Sequence, residues 1–178
     1  MPYVAEQLRE RVETQINSID YFLAQHAELT TRQSQMSCVL VEIVKKAMEP
    51  ATGWRYHNLH RAYGVFVAAA AEAERRFGRG NKHFGAEAWQ SIADYQDDIE
   101  HIVYWVRHED DDKRDGYLNY IVSMIAAQGM GERFRAYVAD TLRLAGDCFY
   151  ASIVAPYEDE AIKKNGDITP YKAFPCSA

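Results

Sequence analysis

The stretch VETQINSIDYFL, Val12 to Leu23, places its large apolar residues at 12, 16, 19 and 23. Steps of four, three and four return to one side of a 3.6-residue turn, the mark of an amphipathic helix. Working outward, the spacing predicts a first helix over 5–27. A second is expected over 33–48, with Met36, Val39, Leu40, Ile43 and Val44 on one face and Pro50 ending it. A third, over 55–77, is alanine-rich in its middle and stopped by Gly78-Arg79-Gly80. A fourth, over 86–108, carries Trp89, Ile92, Ile99, Ile102, Val103 and Val106. The acidic run Glu109 to Asp112 reads as a solvated connection to a fifth helix over 116–128. A sixth, over 132–155, is expected to end before Pro156, because a residue preceding proline is pushed away from helical dihedrals. Prolines stand at 2, 50, 156, 170 and 175, so none interrupts the chain between Thr52 and Ala155. Strand-like alternation is hard to find. The fold class is therefore all-α, with about six helices in a bundle.

The six helices fall into two triplets. A shift of 82 residues places Arg32 on Arg114, Met36 on Leu118, Val39 on Ile121, Leu40 on Val122, Ile43 on Ile125 and Gly64 on Gly146. One further residue of shift places Ile16 on Ile99, Ile19 on Ile102, Tyr21 on Tyr104 and Phe22 on Trp105. A glycine inside a helix costs about 1 kcal/mol against alanine, so the matching glycines point to equivalent close helix crossings. An internal duplication follows as an expectation: 1–82 a diverged first three-helix repeat, 83–155 a second, and 156–178 a C-terminal tail, the two repeats packed as a pseudo-dimeric bundle.

At 178 residues the chain has room for one domain or two very small ones, and 48% hydrophobic content is enough for a core. Net charge is −6, and the strongest basic cluster, Arg75, Arg76, Arg79 and Lys82, is short and interrupted by glycines. That disfavours general nucleic-acid binding. Cys38, Cys148 and Cys176 form no paired framework and fit a reducing cytosol. The start, MPYVAEQLRERVETQ, carries no apolar signal segment, and no stretch approaches the roughly 18 apolar residues of a membrane span. A cytoplasmic protein is expected, with a homo-oligomer left open.

The start MPYV, the segment GYLNYIVSMI (Gly116 to Ile125) and the tail YASIVAPYEDEAIKKNGDITPY (Tyr150 to Tyr171) resemble a family of short, uncharacterised phage and bacterial proteins. Its members begin MPYI, continue through G-x-LNY-x-IT and a G-x-LE-x-x-x-LEFYRR helix, and close with APYEDEKI-x-x-NGDVY. The resemblance spans the opening tetrapeptide and about 87–171, the tail being its more specific part. Here Asp147 to Ser152 replaces the charged LEFYRR surface. The resemblance implies a phage or prophage origin, hence the host cytoplasm, and a fold; it implies no activity. If the usual member is one three-helix unit plus the tail, 1–82 is the extra copy. The tail's own residues read as a helix stop at Pro156, Tyr157 folded back on apolar surface, one short turn over Glu158 to Lys164 and a further turn at Asn165-Gly166-Asp167. That is structural closure or partner docking first, and ligand contact second.

Two constellations could carry chemistry. DYQDDIEH sets Asp94, Asp97 or Asp98, and His101 three or four residues apart on one helix face. With a second acidic helix, Asp94, Asp98 and His101 would hold Mg²⁺ as in all-α nucleotide pyrophosphohydrolases. Glu72 and Glu74 are poor candidates for that second half, and a solvated helix side is the plainer reading. RYHNLHRAYG offers Arg55, Tyr56, His57, His60 and Arg61. Such a face can hold an anionic nucleotide, guanidinium on phosphate and aromatic on base; ordinary surface residues are the plainer reading here as well. Zinc would need further ligands that no nearby pattern supplies. Nothing assembles a nucleophile, a base and an orienting group. Twelve tyrosines and three tryptophans, several beside Arg or His, are a recognition-surface composition. The expected function is a non-catalytic binding or regulatory protein. A small-molecule partner would use Arg55, Arg61 and Tyr56, and a protein partner the tail around Tyr157 and Tyr171. The Mg²⁺-dependent pyrophosphohydrolase-like enzyme is the alternative.

Overall fold

The computed structural model describes residues 6–78 and 91–166. Trp89, Arg79, Lys82, Tyr171, Cys176 and the MPYV start lie outside the described residues. Within them the chain is all-helical: α1 (Glu6–Ala24), α2 (Leu29–Met48), α3 (Tyr56–Phe77), a 3₁₀ turn (Ala93–Tyr95) leading into α4 (Gln96–Arg107), α5 (Asp111–Phe134), a 3₁₀ turn (Arg135–Tyr137), α6 (Val138–Phe149), a π segment (Tyr150–Val154) and α7 (Ala155–Asn165). No described residue is in a strand.

The helices stack as three two-helix layers. α2 and α5 form the middle one. On one side α1 and α4 pack on each other, α1 also on α5 and α4 on α2. On the other, α3 and α6 pack on each other, α3 also on α5 and α6 on α2. Burial follows this plan. α1 buries Leu8, Val12, Ile16, Ile19 and Leu23, one stripe as its period predicts. α2 is buried at every position from Gln33 to Val41, because it is covered from several directions at once. Its face of Met36, Val39, Leu40, Ile43 and Val44 is in the core, joined by Gln33, Ser34, Gln35 and Ser37. Buried polar groups must find partners. Gln33 Nε2 donates to Thr141 Oγ1 at 3.2 Å and Gln35 Nε2 to the Ser91 carbonyl at 2.5 Å.

One arginine ties each outer hairpin. Arg32, fourth residue of α2, donates from Nε to the His26 carbonyl (2.8 Å) and from a terminal nitrogen to the Ala24 carbonyl (3.1 Å), at the C-terminus of α1. Arg114, fourth residue of α5, donates to the carbonyls of Arg107 (3.1 Å) and Glu109 (2.8 Å), at the C-terminus of α4. These carbonyls have no intrahelical partner, and a cation there also meets the negative end of the helix.

Four expectations need correction. The structure has five continuous helical runs among the described residues, against about six separate helices expected, because the last two merge. α5 runs on through Gly129, past its expected end at 128. A Cβ there would lie 2.7 Å from Met36 Cε and 2.9 Å from Leu23 Cδ1, so this glycine lets α5 approach α1 and α2. The kink falls two residues later, at Gly131, whose φ of 61° suits glycine alone. The acidic run is only half a connection: Asp111 and Asp112 form the first turn of α5, where carboxylates face the positive helix end. Pro156 does not stop the helix, and Glu158 to Lys164 are more than a short turn. The π segment intervenes and Pro156 enters the first turn of α7, where a missing N–H has no partner to lose. Finally, Gly64 and Gly146 are not equivalent contacts. A Cβ on Gly146 would sit 3.1 Å from Phe66 Cβ, whereas one on Gly64 would meet nothing within 4 Å.

Candidate functional site

α3 reaches the π segment and α7 at its N-terminal half. Tyr56 and His60, one turn apart, have ring centroids 4.1 Å apart. Tyr63, a turn further on, lies 5.8 Å from Tyr150, the first residue of the π segment. Tyr150 donates its hydroxyl to Glu158 at 2.8 Å, and the other Glu158 oxygen lies 3.9 Å from His60 Nε2. Glu158 thus bridges α3 and the π segment from α7. The hydrogen bond to its carboxylate, with its negative charge, holds the Tyr150 phenol above its usual range. The Glu158 contact with His60 is an ion pair only when the imidazole is protonated.

The π segment makes this geometry. A π turn holds more residues per turn than the α-helix and is frequent at functional sites. Ser152 Oγ, within it, donates to the Cys148 carbonyl at 2.6 Å. α7 has no fully buried residue of its own; Tyr157 packs partly buried on the core, while Ile162 is exposed. A helix with so little buried surface needs a side-chain tie to stay in place, and Glu158 supplies it.

Of the six residues expected to bind a ligand, the structure gathers Tyr56 and His60 with the tail, and seats Tyr157 at the root of α7. Arg55 and His57 are exposed beside them. Arg61 turns toward α5, where it lines a surface cleft together with Asp115, and it is already engaged. It donates to both Asp115 carboxylate oxygens (2.9 and 2.8 Å) and to Asp111 Oδ2 (3.1 Å). These bonds raise its pKa still further, and with a donation to the Asp111 carbonyl at 2.8 Å they commit four of the five guanidinium N–H groups. A guanidinium clamped this way is not open to a phosphate. The site members that the sequence reading did not place were Tyr150 and Glu158, about 90 residues from α3. No short-range pattern could have joined them, since the π segment is what brings them round.

The acidic constellation disperses. Asp98 accepts from Ser18 Oγ at 2.6 Å, and His101 Nε2 accepts from the Trp105 indole at 3.1 Å. Asp94 is exposed in the 3₁₀ turn before α4. Glu72 is held by Arg75 and Arg76, which pull its carboxyl down to about 2. Among the described residues no three His, Cys, Asp or Glu side chains gather as a cation site.

Two surface clefts flank α3, each formed between it and a helix of the C-terminal half. One, of about 500 Å³, runs between α3 and α5 past Gly64, Ala68 and Gly116. The other, of about 480 Å³, runs between α3 and α6 past Tyr63, Val67, Ala71 and Gly146, with Glu74 and Arg143 paired beside it. Val67 is 52% exposed at the ridge between them. No described helix is long and apolar enough to cross a membrane. No protein-family model, no curated protein and no solved structure matches this chain.

Proposed function

We propose that this chain is a non-catalytic binding protein, and that its recognition face is the N-terminal half of α3 together with the π segment and α7. The observation that carries this reading is the convergence of Tyr56, His60 and Tyr63 with Tyr150 and Glu158 from a distant part of the chain. The core does not require Tyr56 and Tyr150, which are 63% and 40% exposed. Aromatic rings fixed by neighbours and left in solvent are typical anchors for a protein partner. The Val67 ridge and its two clefts continue the same face. A protein partner is favoured over an anionic nucleotide because Arg61 is spent on Asp111 and Asp115. The Mg²⁺-dependent enzyme has no such support, since Asp94, Asp98 and His101 do not converge.

Two readings of origin belong with this proposal. The internal duplication is supported by the layer plan, which keeps its pattern when α1, α2 and α3 are exchanged for α4, α5 and α6. It is supported more sharply by the arginines. Arg32 and Arg114 are 82 apart, and their carbonyl partners Ala24 and Arg107, His26 and Glu109, are each 83 apart, the two offsets seen in the sequence. The phage or prophage origin rests on the motif resemblance alone. The test uses the purified full-length chain as bait in host extract, beside Tyr56→Ala/Tyr150→Ala. A protein retained by the wild type and lost by the variant is expected. Retention unchanged by the variant, or a small molecule co-purifying with the chain and no protein retained, overturns the reading.

A further inference from the structure

The C-terminal half of α3 borders a further cavity, of about 100 Å³, walled on its other sides by α5 and the start of α6. Three alanines leave the space: Ala69 and Ala73 on α3 and Ala127 on α5. Leu142 closes the α6 side, because α5 kinks at Gly131 and a 3₁₀ turn carries the chain back across its end. Ala69, Ala73 and Leu142 are buried. Met124, half-buried in the α5 wall, is an unbranched side chain that re-packs easily and so lets the cavity widen.

Apart from Glu72, Arg76 and Ser123, the lining residues are aliphatic or aromatic. The two charges already answer each other. Arg76 Nε donates to Glu72 Oε1 at 2.6 Å, and Arg75 donates to both Glu72 oxygens at 2.9 and 2.8 Å. The second guanidinium, Arg75, is exposed and does not line the cavity, so its surplus charge is screened by water. Ser123 is different. Its Oγ is shut off from solvent and has no hydrogen-bond partner among the described residues. Thr141 and Ser152 satisfy their hydroxyls on the carbonyl four residues back, at 2.8 and 2.6 Å. Ser123 does not. A buried hydroxyl left so costs stability until something pairs with it. Water is a poor answer in this wall, since a buried water wants about two to four polar partners.

We propose that this cavity binds a small neutral molecule, an apolar body of one ring or a short chain carrying one hydroxyl or carbonyl that pairs with Ser123. An apolar wall with one placed polar group is the usual make-up of a small-molecule site. Size sets the class: a cavity of roughly 150 Å³ with a similar lining takes benzene, so this one admits a single ring once Met124 moves aside. Charge sets it too. An ionic ligand would shed its hydration against an ion pair that is already made. The site lies at the other end of α3 from Tyr56 and His60, and the inference does not depend on that face binding anything.

The test uses the full chain labelled with ¹³C at its five methionine methyls and titrated with phenol, toluene or benzoate. The Met124 signal is identified by its loss in Met124→Leu. With phenol it should shift saturably, half-saturating at about 1 mM or below, as expected of a ligand with so few atoms. Benzoate should give no saturable shift. Ser123→Ala should weaken phenol about fivefold while leaving toluene, which lacks the hydroxyl, as tight as before. Ala73→Leu fills the cavity and should abolish the phenol shift. Ala127→Leu serves instead if Ala73→Leu loses its helical circular dichroism signal. No saturable shift with phenol, a shift that persists in the filled variant, or benzoate binding as tightly as phenol overturns the proposal. A phenol-to-toluene ratio unchanged by Ser123→Ala overturns the part given to Ser123.

Discussion

Asp20 is a carboxyl in the wrong solvent. It sits on α1 beside the crossing with α5, with Oδ1 buried and without a hydrogen-bond partner, 3.3 Å from where a Gly129 Cβ would stand. Burial alone pushes its pKa from 3.8 to about 7. A group whose folded pKa is raised stays protonated in the folded chain while the unfolded chain ionises. Stability therefore falls as pH climbs from about 4 to 7 and levels off above. Some three units would correspond to roughly 4 kcal/mol at 1.36 kcal/mol per unit. The side chain is only partly enclosed, and solvent screening brings the expected effect down to about 1–2 kcal/mol. Asp20→Asn keeps the shape and removes the charge. The variant should melt above the wild type at pH 8, by roughly 2–6 °C for a chain of this size, and should match it within error near pH 4. Thermal unfolding followed by circular dichroism at the two pH values measures both differences. A variant less stable than wild type at pH 8, or an equal difference at both pH values, would refute the reasoning.

Gly146→Leu should cost roughly 1–3 kcal/mol in chemical unfolding, because even its Cβ crowds Phe66. Gly64→Ala should be neutral or stabilising by up to about 1 kcal/mol, since the helix there is open; equal losses at the two sites would show that the packing is misjudged. Arg32→Ala and Arg114→Ala should each lower stability by about 1–3 kcal/mol, because each removes a charged donor from helix-end carbonyls; the Arg32 loss should be the larger, since Arg32 also donates to the Gly129 and Met130 carbonyls of α5. A loss at one site alone would remove the arginines as support for the duplication.

The class of fold was legible because the core-facing residues of α1, α3 and α4 keep a helical period that water imposes on any half-buried helix. The breaks were less legible. Gly129, Asp111 and Pro156 all carry break signals, yet tertiary contact with Met36 and Leu23, a helix first turn and a π segment turn each one into helix. Gly64 and Gly146 look alike in sequence and differ in space, since only one meets another helix. The site was half legible. Tyr56 and His60 stood out as a local pattern, but Arg61 was read as a phosphate ligand because its partners Asp111 and Asp115 lie on a different helix. Tyr150 and Glu158 became visible only once the chain was folded.

The most direct test of the binding face is a photo-crosslinking amino acid placed at Tyr56 of the full-length chain and activated in host extract, with mass spectrometry of the adducts. The account expects a discrete adduct with one heterologous protein, lost when Tyr150→Ala and Glu158→Ala are added to the same chain. No protein adduct at Tyr56, or one that persists with Tyr150 and Glu158 both replaced, would contradict it.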